Sequence, residues 1–150
     1  RVLSPELDIA EAELAHFKYS RIEQQAVLAI LRGWEYLQVI AQGHDSRRQQ
    51  YYLFKTADSS FLALVLVGLA EGIPLSLLEG LIERFLDKTD PVAYPRSLVS
   101  GRDLIQKLGL RPGPHVGNLL AAIELAHAEG HIQTPQQALQ WAASLSSSSW

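Results

Sequence analysis

The chain has 150 residues, 47% of them apolar, and a formal net charge of −3; this length fits one domain or two small subdomains with a buried core. It contains no cysteine, which excludes disulfides, cysteine-ligated zinc and a thiol nucleophile together. No basic segment followed by an apolar stretch marks a signal peptide, and the longest apolar run, residues 61–70, is well short of the roughly 20 residues a bilayer requires.

The chain starts at Arg1 and has no methionine, so it reads as part of a longer protein, and a cytoplasmic location is expected. Almost every segment carries a helical period. Ser4-Pro5 opens the first helix, with Leu7, Ala10, Leu14 and Phe17 on one face. Ser20-Arg21-Ile22-Glu23 has capping-box spacing, and Ile22, Ala26, Ile30, Leu37 and Ile40 follow at helical intervals until Gly43. Asp45 or Ser46 caps a short helix containing Tyr51, Tyr52 and Phe54. These aromatics, beside Arg47-Arg48, can stack on bases or fill a core, and two of the three are assigned to the core. Asp58 or Ser59 caps the next helix, which is apolar on nearly every side and therefore expected to be central. Pro74 starts a helix with Leu78, Leu81, Ile82 and Phe85 in a stripe.

Asp90-Pro91 and Tyr94-Pro95 break the pattern and suggest a linker. A capped helix from Ser100 to Gly109 follows, then a tight loop. Pro114 begins a helix ending at Gly130, and Thr134-Pro135 opens the last one. The fold class is all-α, a compact bundle of about seven to eight helices in two subdomains. The expected divisions are a first helical subdomain over 1–90, a linker over 91–99, a second helical subdomain over 100–145 and a flexible tail over 146–150.

The negative net charge argues weakly against nucleic acid, but its distribution is uneven. Glu6, Asp8, Glu11 and Glu13 make the start acidic, whereas residues 96–115 carry Arg96, Arg102, Lys107, Arg111 and His115 against Asp103 alone. Arg47, Arg48 and Lys55 form a second basic group. Phosphate contacts need only a local positive surface; the plainer alternative is a set of solvated helix faces. Around Gly113, Pro112 and Pro114 forbid a continuous helix. The helix beginning there has free backbone N–H groups near His115, which together with the helix dipole suit a phosphate. Equally, Gly109, Gly113 and Gly117 can serve only a sharp, closely packed corner.

Other chemistry lacks its residues. His44-Asp45 matches part of a metal phosphohydrolase set, and His16 could join it, but further ligands are not evident. Neither a Gly-x-Ser-x-Gly turn nor a Gly-x-x-x-x-Gly-Lys loop is present. No Asp-x-Asp pair for two-metal nucleotidyl transfer exists.

Ser100-Gly101-Arg102-Asp103-Leu104-Ile105, Leu108-Gly109-Leu110 and Pro112-Gly113-Pro114-His115-Val116-Gly117, with Leu120, together resemble the tail signature of class II tRNA nucleotidyltransferases, the CCA-adding enzyme and poly(A) polymerase family. The likeness continues through Ala126, Glu129-Gly130, Ile132-Gln133-Thr134 and Ala138-Leu139. Ser46-Arg47-Arg48 and the helices after it resemble the family's body.

The resemblance implies a domain that grips tRNA by its backbone at the elbow and acceptor arm. The contacts expected are Arg47, Arg48, Arg102, Lys107, Arg111, His115 and the backbone of Gly113. It also implies an N-terminal catalytic head and neck in the same polypeptide, where Mg²⁺ and CTP or ATP would bind. The family's catalytic aspartates and its Glu-Asp-x-x-Arg selector do not stand in this chain, so no catalytic residue, metal or cofactor is assigned here, and the chain alone is expected to be inactive. The competing readings are a DNA-binding helix-hairpin-helix module, a helical interaction or dimerisation domain, and the His-Asp phosphohydrolase.

Overall fold

The structure, a computed structural model, describes residues 4–17 and 19–147. Among these it is all-α: eight α-helices and one 3₁₀ turn, with no strand. The chain divides into two units, residues 1–88 and 89–150.

The first unit holds α1 (Ser4–His16), α2 (Arg21–Ala41), α3 (Arg47–Ala57), a 3₁₀ turn (Asp58–Ser60), α4 (Phe61–Ala70) and α5 (Leu75–Leu86). Ser20 starts α2 through a reciprocal capping box. Its hydroxyl accepts from the Glu23 N–H at 3.3 Å, and its own N–H donates to the Glu23 carboxylate at 2.8 Å. Ser46, rather than Asp45, caps α3, accepting from the Gln49 N–H at 3.2 Å. Asp45 instead accepts from the Gln50 amide at 2.6 Å.

α2 is the hub of this unit, packing against α1, α3, α4 and the 3₁₀ turn. Close approach is possible because Gly33 has no side chain: a Cβ there would lie 2.8 Å from Leu64 Cδ2. Leu37, Ile40, Tyr51, Leu53, Phe54, Phe61 and Leu64 are buried in this unit. Phe61 touches both Phe54 and Phe85, with ring centroids 4.9 and 4.7 Å away. Of the helix-α3 aromatics, Tyr51 and Phe54 are buried, while Tyr52 is half-buried and stacked on Tyr36.

The central position expected for α4 is corrected. It buries Phe61, Leu64, Val65 and Gly68, but Leu62, Leu66 and Leu69 are exposed. Neighbours cover one side of α4 only, since α2 occupies the centre. Neither Asp58 nor Ser59 caps α4; Ser60 precedes it without a side-chain bond, and Asp58 takes φ +44° at the end of α3. Residues 47–70 have the length and apolarity of a membrane span. Burial in this unit accounts for Tyr51, Leu53, Phe54, Phe61 and Leu64 within that segment, but not for the exposed leucines of α4.

The second unit holds α6 (Gly101–Leu108), α7 (Pro114–Glu129) and α8 (Pro135–Ser147), each packed on the other two. Val99, Leu104, Val116, Ile123, Ala126, Ile132, Ala138 and Ala142 form its core. Val99 therefore ties the turn-rich segment before α6 into this unit. α7 ends on Gly130 at φ +84°, a left-handed conformation that glycine adopts without steric cost. Before α8, Thr134 Oγ1 accepts from the Gln137 N–H, and Gln137 Oε1 accepts from the N–H groups of Gln133 and Thr134. Of the residues assigned to a flexible tail, Ser146 and Ser147 belong to α8; residues 148–150 lie outside the described residues.

Candidate nucleic-acid interface

The second unit's basic corner is built from the caps of α6 and α7. Ser100 donates to the Asp103 carboxylate through both its N–H and its hydroxyl, each at 2.8 Å, and accepts from the Asp103 N–H at 3.1 Å. The Ser100 N–H, then its hydroxyl, hold the Asp103 carboxyl below its ordinary value, with smaller contributions from Lys107 and Arg102. The one acid among these cations is thus ionised and committed to a cap. Gly101 sits where a Cβ would meet Val116 at 3.3 Å, so α6 starts hard against α7.

α6 ends at Gly109, whose φ of +65° turns the chain sharply. The loop then carries Arg111 to Gly113, and Pro114 is the first residue of α7. Proline suits that position because its missing N–H would have no helical partner. The Val116 N–H donates to the Gly113 carbonyl at 3.1 Å. Gly113 is extended and exposed, and the His115 ring folds back over it.

Arg102, Lys107, Arg111 and His115 are all exposed. Arg111 and His115 share a groove of about 1190 Å³ between the α6–α7 corner and the end of α8. Leu108, Leu110, Leu119, Ala122 and Leu145 supply its apolar lining, and Asn118 adds an amide. Arg102 and Lys107 do not line it. Five residues apart, they stand about 140° from one another around the α6 axis. Arg47 and Arg48 are exposed in the first turn of α3, in the other unit. No acid shares that turn, so both run against the helix dipole and raise the positive potential there. Within the second unit the structure groups Arg111, Gly113 and His115, and leaves Arg102 and Lys107 outside that groove. Asn118, Leu119 and Leu145 add to the group from outside the Gly/Pro motif.

Among the described residues, no group of three or more His, Asp or Glu side chains is placed to hold a metal ion. The His44-Asp45 phosphohydrolase reading has no ligand set there.

The family described as tRNA nucleotidyltransferase domain 2 matches residues 2–143. The chain belongs to the tRNA nucleotidyltransferase family.

This nucleotidyltransferase domain is 38% identical, over 95% of its length, to the CC-adding tRNA nucleotidyltransferase of Synechocystis sp., covering 35% of that relative. It is 48% identical over 31% of its length to the A-adding tRNA nucleotidyltransferase of Deinococcus radiodurans, covering 11% of it. The domain thus spans about a third or less of the length of the curated relatives it matches. No solved structure matches it significantly.

Proposed function

We propose that this domain holds tRNA for a template-independent nucleotidyltransferase whose catalytic head and neck lie elsewhere in the same polypeptide. It binds backbone at the elbow and acceptor arm, and so sets the distance from there to the active site. Phosphate contacts fix register and orientation without reading sequence. A-form RNA in particular is recognised through shape, phosphate and 2′-hydroxyl groups. Mg²⁺ and CTP or ATP belong to the head, and the domain alone transfers no nucleotide. The two relatives carry CC-adding and A-adding names, and the proposed grip does not depend on which nucleotides are added.

The observation that carries this reading is the open corner where Arg111 and His115 line a groove beside Gly113, and where Asp103, the one acid in residues 96–115, is engaged in a cap. Arg102 and Lys107 add exposed charge on two different faces of α6, and Arg47 and Arg48 are exposed on α3. The test is a tRNA titration at several salt concentrations with the Arg102→Ala, Arg111→Ala double variant. Affinity falls for different tRNAs alike, and the salt slope drops by about 1 for each lost phosphate contact. Wild-type binding by the double variant rejects the corner as the grip. Tighter binding of duplex DNA than of tRNA favours the helix-hairpin-helix alternative.

A second reading, an interaction or dimerisation domain, draws on the exposed Leu62, Leu66 and Leu69 of α4. Sedimentation of the isolated chain tests it: concentration-dependent dimers lost in Leu66→Glu favour self-association through α4.

A further inference from the structure

We propose that the groove between the α6–α7 corner and the end of α8 takes an unstacked nucleobase of the bound RNA; this rests on the RNA-holding reading above. A phosphate grip alone needs charge on an open surface, and most of the groove has a different character. Leu119, Ala122 and Leu145 line it with aliphatic carbon, while the Arg111 guanidinium and the His115 imidazole also line it, the ring lying over Gly113. No carboxylate lines it among the described residues.

An apolar pocket edged by an arginine and an imidazole, with no acid in its lining, matches a ligand with a flat apolar face joined to an anion. A nucleotide has that form. The base lies on the leucine and alanine carbons, its own phosphate reaches Arg111 or His115, and the Asn118 amide offers a donor and an acceptor to the base edge. The volume of about 1190 Å³ exceeds what one base fills, so the ribose and a neighbouring nucleotide fit as well. Aliphatic walls grip any base face, so the pocket favours an unpaired base over a particular one. Contact with the Asn118 amide adds a modest preference.

Two RNAs of equal phosphate count separate this from pure backbone binding: a short single strand, and the same strand with abasic riboses. The wild-type chain binds the base-bearing strand about tenfold more tightly. Ala122→Leu narrows the groove without touching a charge; it removes the preference and leaves the salt slope unchanged. Asn118→Ala, on an exposed helix position, weakens the preference and serves if Ala122→Leu does not fold. Arg111→Ala lowers affinity for both strands. Equal binding of the two strands by the wild type overturns the base pocket; if Arg111→Ala still weakens both, the phosphate grip stands without it. If Arg111→Ala and the double variant leave all binding unchanged, both readings fall.

Discussion

The His115 imidazole lies over Gly113 so closely that a β-carbon at residue 113 would sit 3.0 Å from Nδ1 and 3.1 Å from Cε1. The φ of 166° at Gly113 is extended backbone open to any residue, so the glycine is needed for the ring, not for the chain direction. Gly113→Ala therefore pushes His115 out of its position beside the groove. Melting should shift by no more than about 0.5 kcal/mol, as for an ordinary surface change, while tRNA affinity falls several-fold. A His115→Ala variant checks the cause. If Gly113→Ala weakens binding further in that background, the ring is not the intermediary.

Gly117 and Gly80 offer a matched pair. Both lie in helices, and a Cβ at either meets nothing within 4 Å. Alanine in place of an exposed helical glycine stabilises by about 0.8–1 kcal/mol, so denaturant melts of Gly117→Ala and Gly80→Ala should both shift upward. Only Gly117 lies one turn from the basic corner. Gly117→Ala should lower tRNA affinity, through a methyl group at the RNA-facing surface, while Gly80→Ala leaves it unchanged. Equal affinities for the two variants would place the RNA away from the start of α7.

How much of this was legible depends on how local the determining physics is. Helix starts at Ser20, Ser100 and Thr134 rest on bonds within a few residues, and the stops at Gly109 and Gly130 on a left-handed glycine, so their spacing announces them. Where two candidate caps adjoin, as at Asp45 and Ser46, local pattern does not choose; the Gln50 amide takes Asp45 and leaves the cap to Ser46. Residues 61–70 look central because they are apolar on every side, yet which sides are covered depends on the path of α2. The same holds for the groove. Arg111, Gly113 and His115 are visible in one short motif, whereas Leu145 joins them only because α8 returns alongside α7. No sequence spacing encodes that return, so Asn118 and Leu119 look like ordinary helix residues until the fold is known.

The two serine caps impose a pH dependence with a definite sign. The Ser20 hydroxyl, then its N–H, lower the Glu23 carboxyl, and the Ser100 N–H, then its hydroxyl, lower that of Asp103. A folded-state pKa below the unfolded one means the stabilisation is full above the ordinary carboxyl values, 4.5 for Glu23 and 3.8 for Asp103. It is lost as pH falls through the lowered folded values. Ser100→Ala should therefore melt below wild type at neutral pH, and the gap attributable to the charge should close in acid. Melting curves recorded across the acid range check this. A gap that stays constant down to full protonation of Asp103 would show that the cap works by a neutral hydrogen bond alone.

The one-sided burial of α4 makes a sharper claim, because two leucines two residues apart should behave in opposite ways. Leu64 is fully buried against the Gly33 surface of α2, whereas Leu66 is 67% exposed. Leu64→Ala removes packed methyl groups and leaves a cavity, at a cost of about 2–5 kcal/mol. Leu66→Ala should change the stability of the isolated chain by about 0.5 kcal/mol or less. Denaturant unfolding of the two variants measures both. If Leu66→Ala costs as much as Leu64→Ala in the isolated chain, its outer face is covered after all and α4 is central. If instead Leu66→Glu folds normally in isolation but destabilises the full-length nucleotidyltransferase, the exposed stripe is where the rest of the polypeptide packs, and its apolar composition is explained by a neighbour supplied from outside the domain.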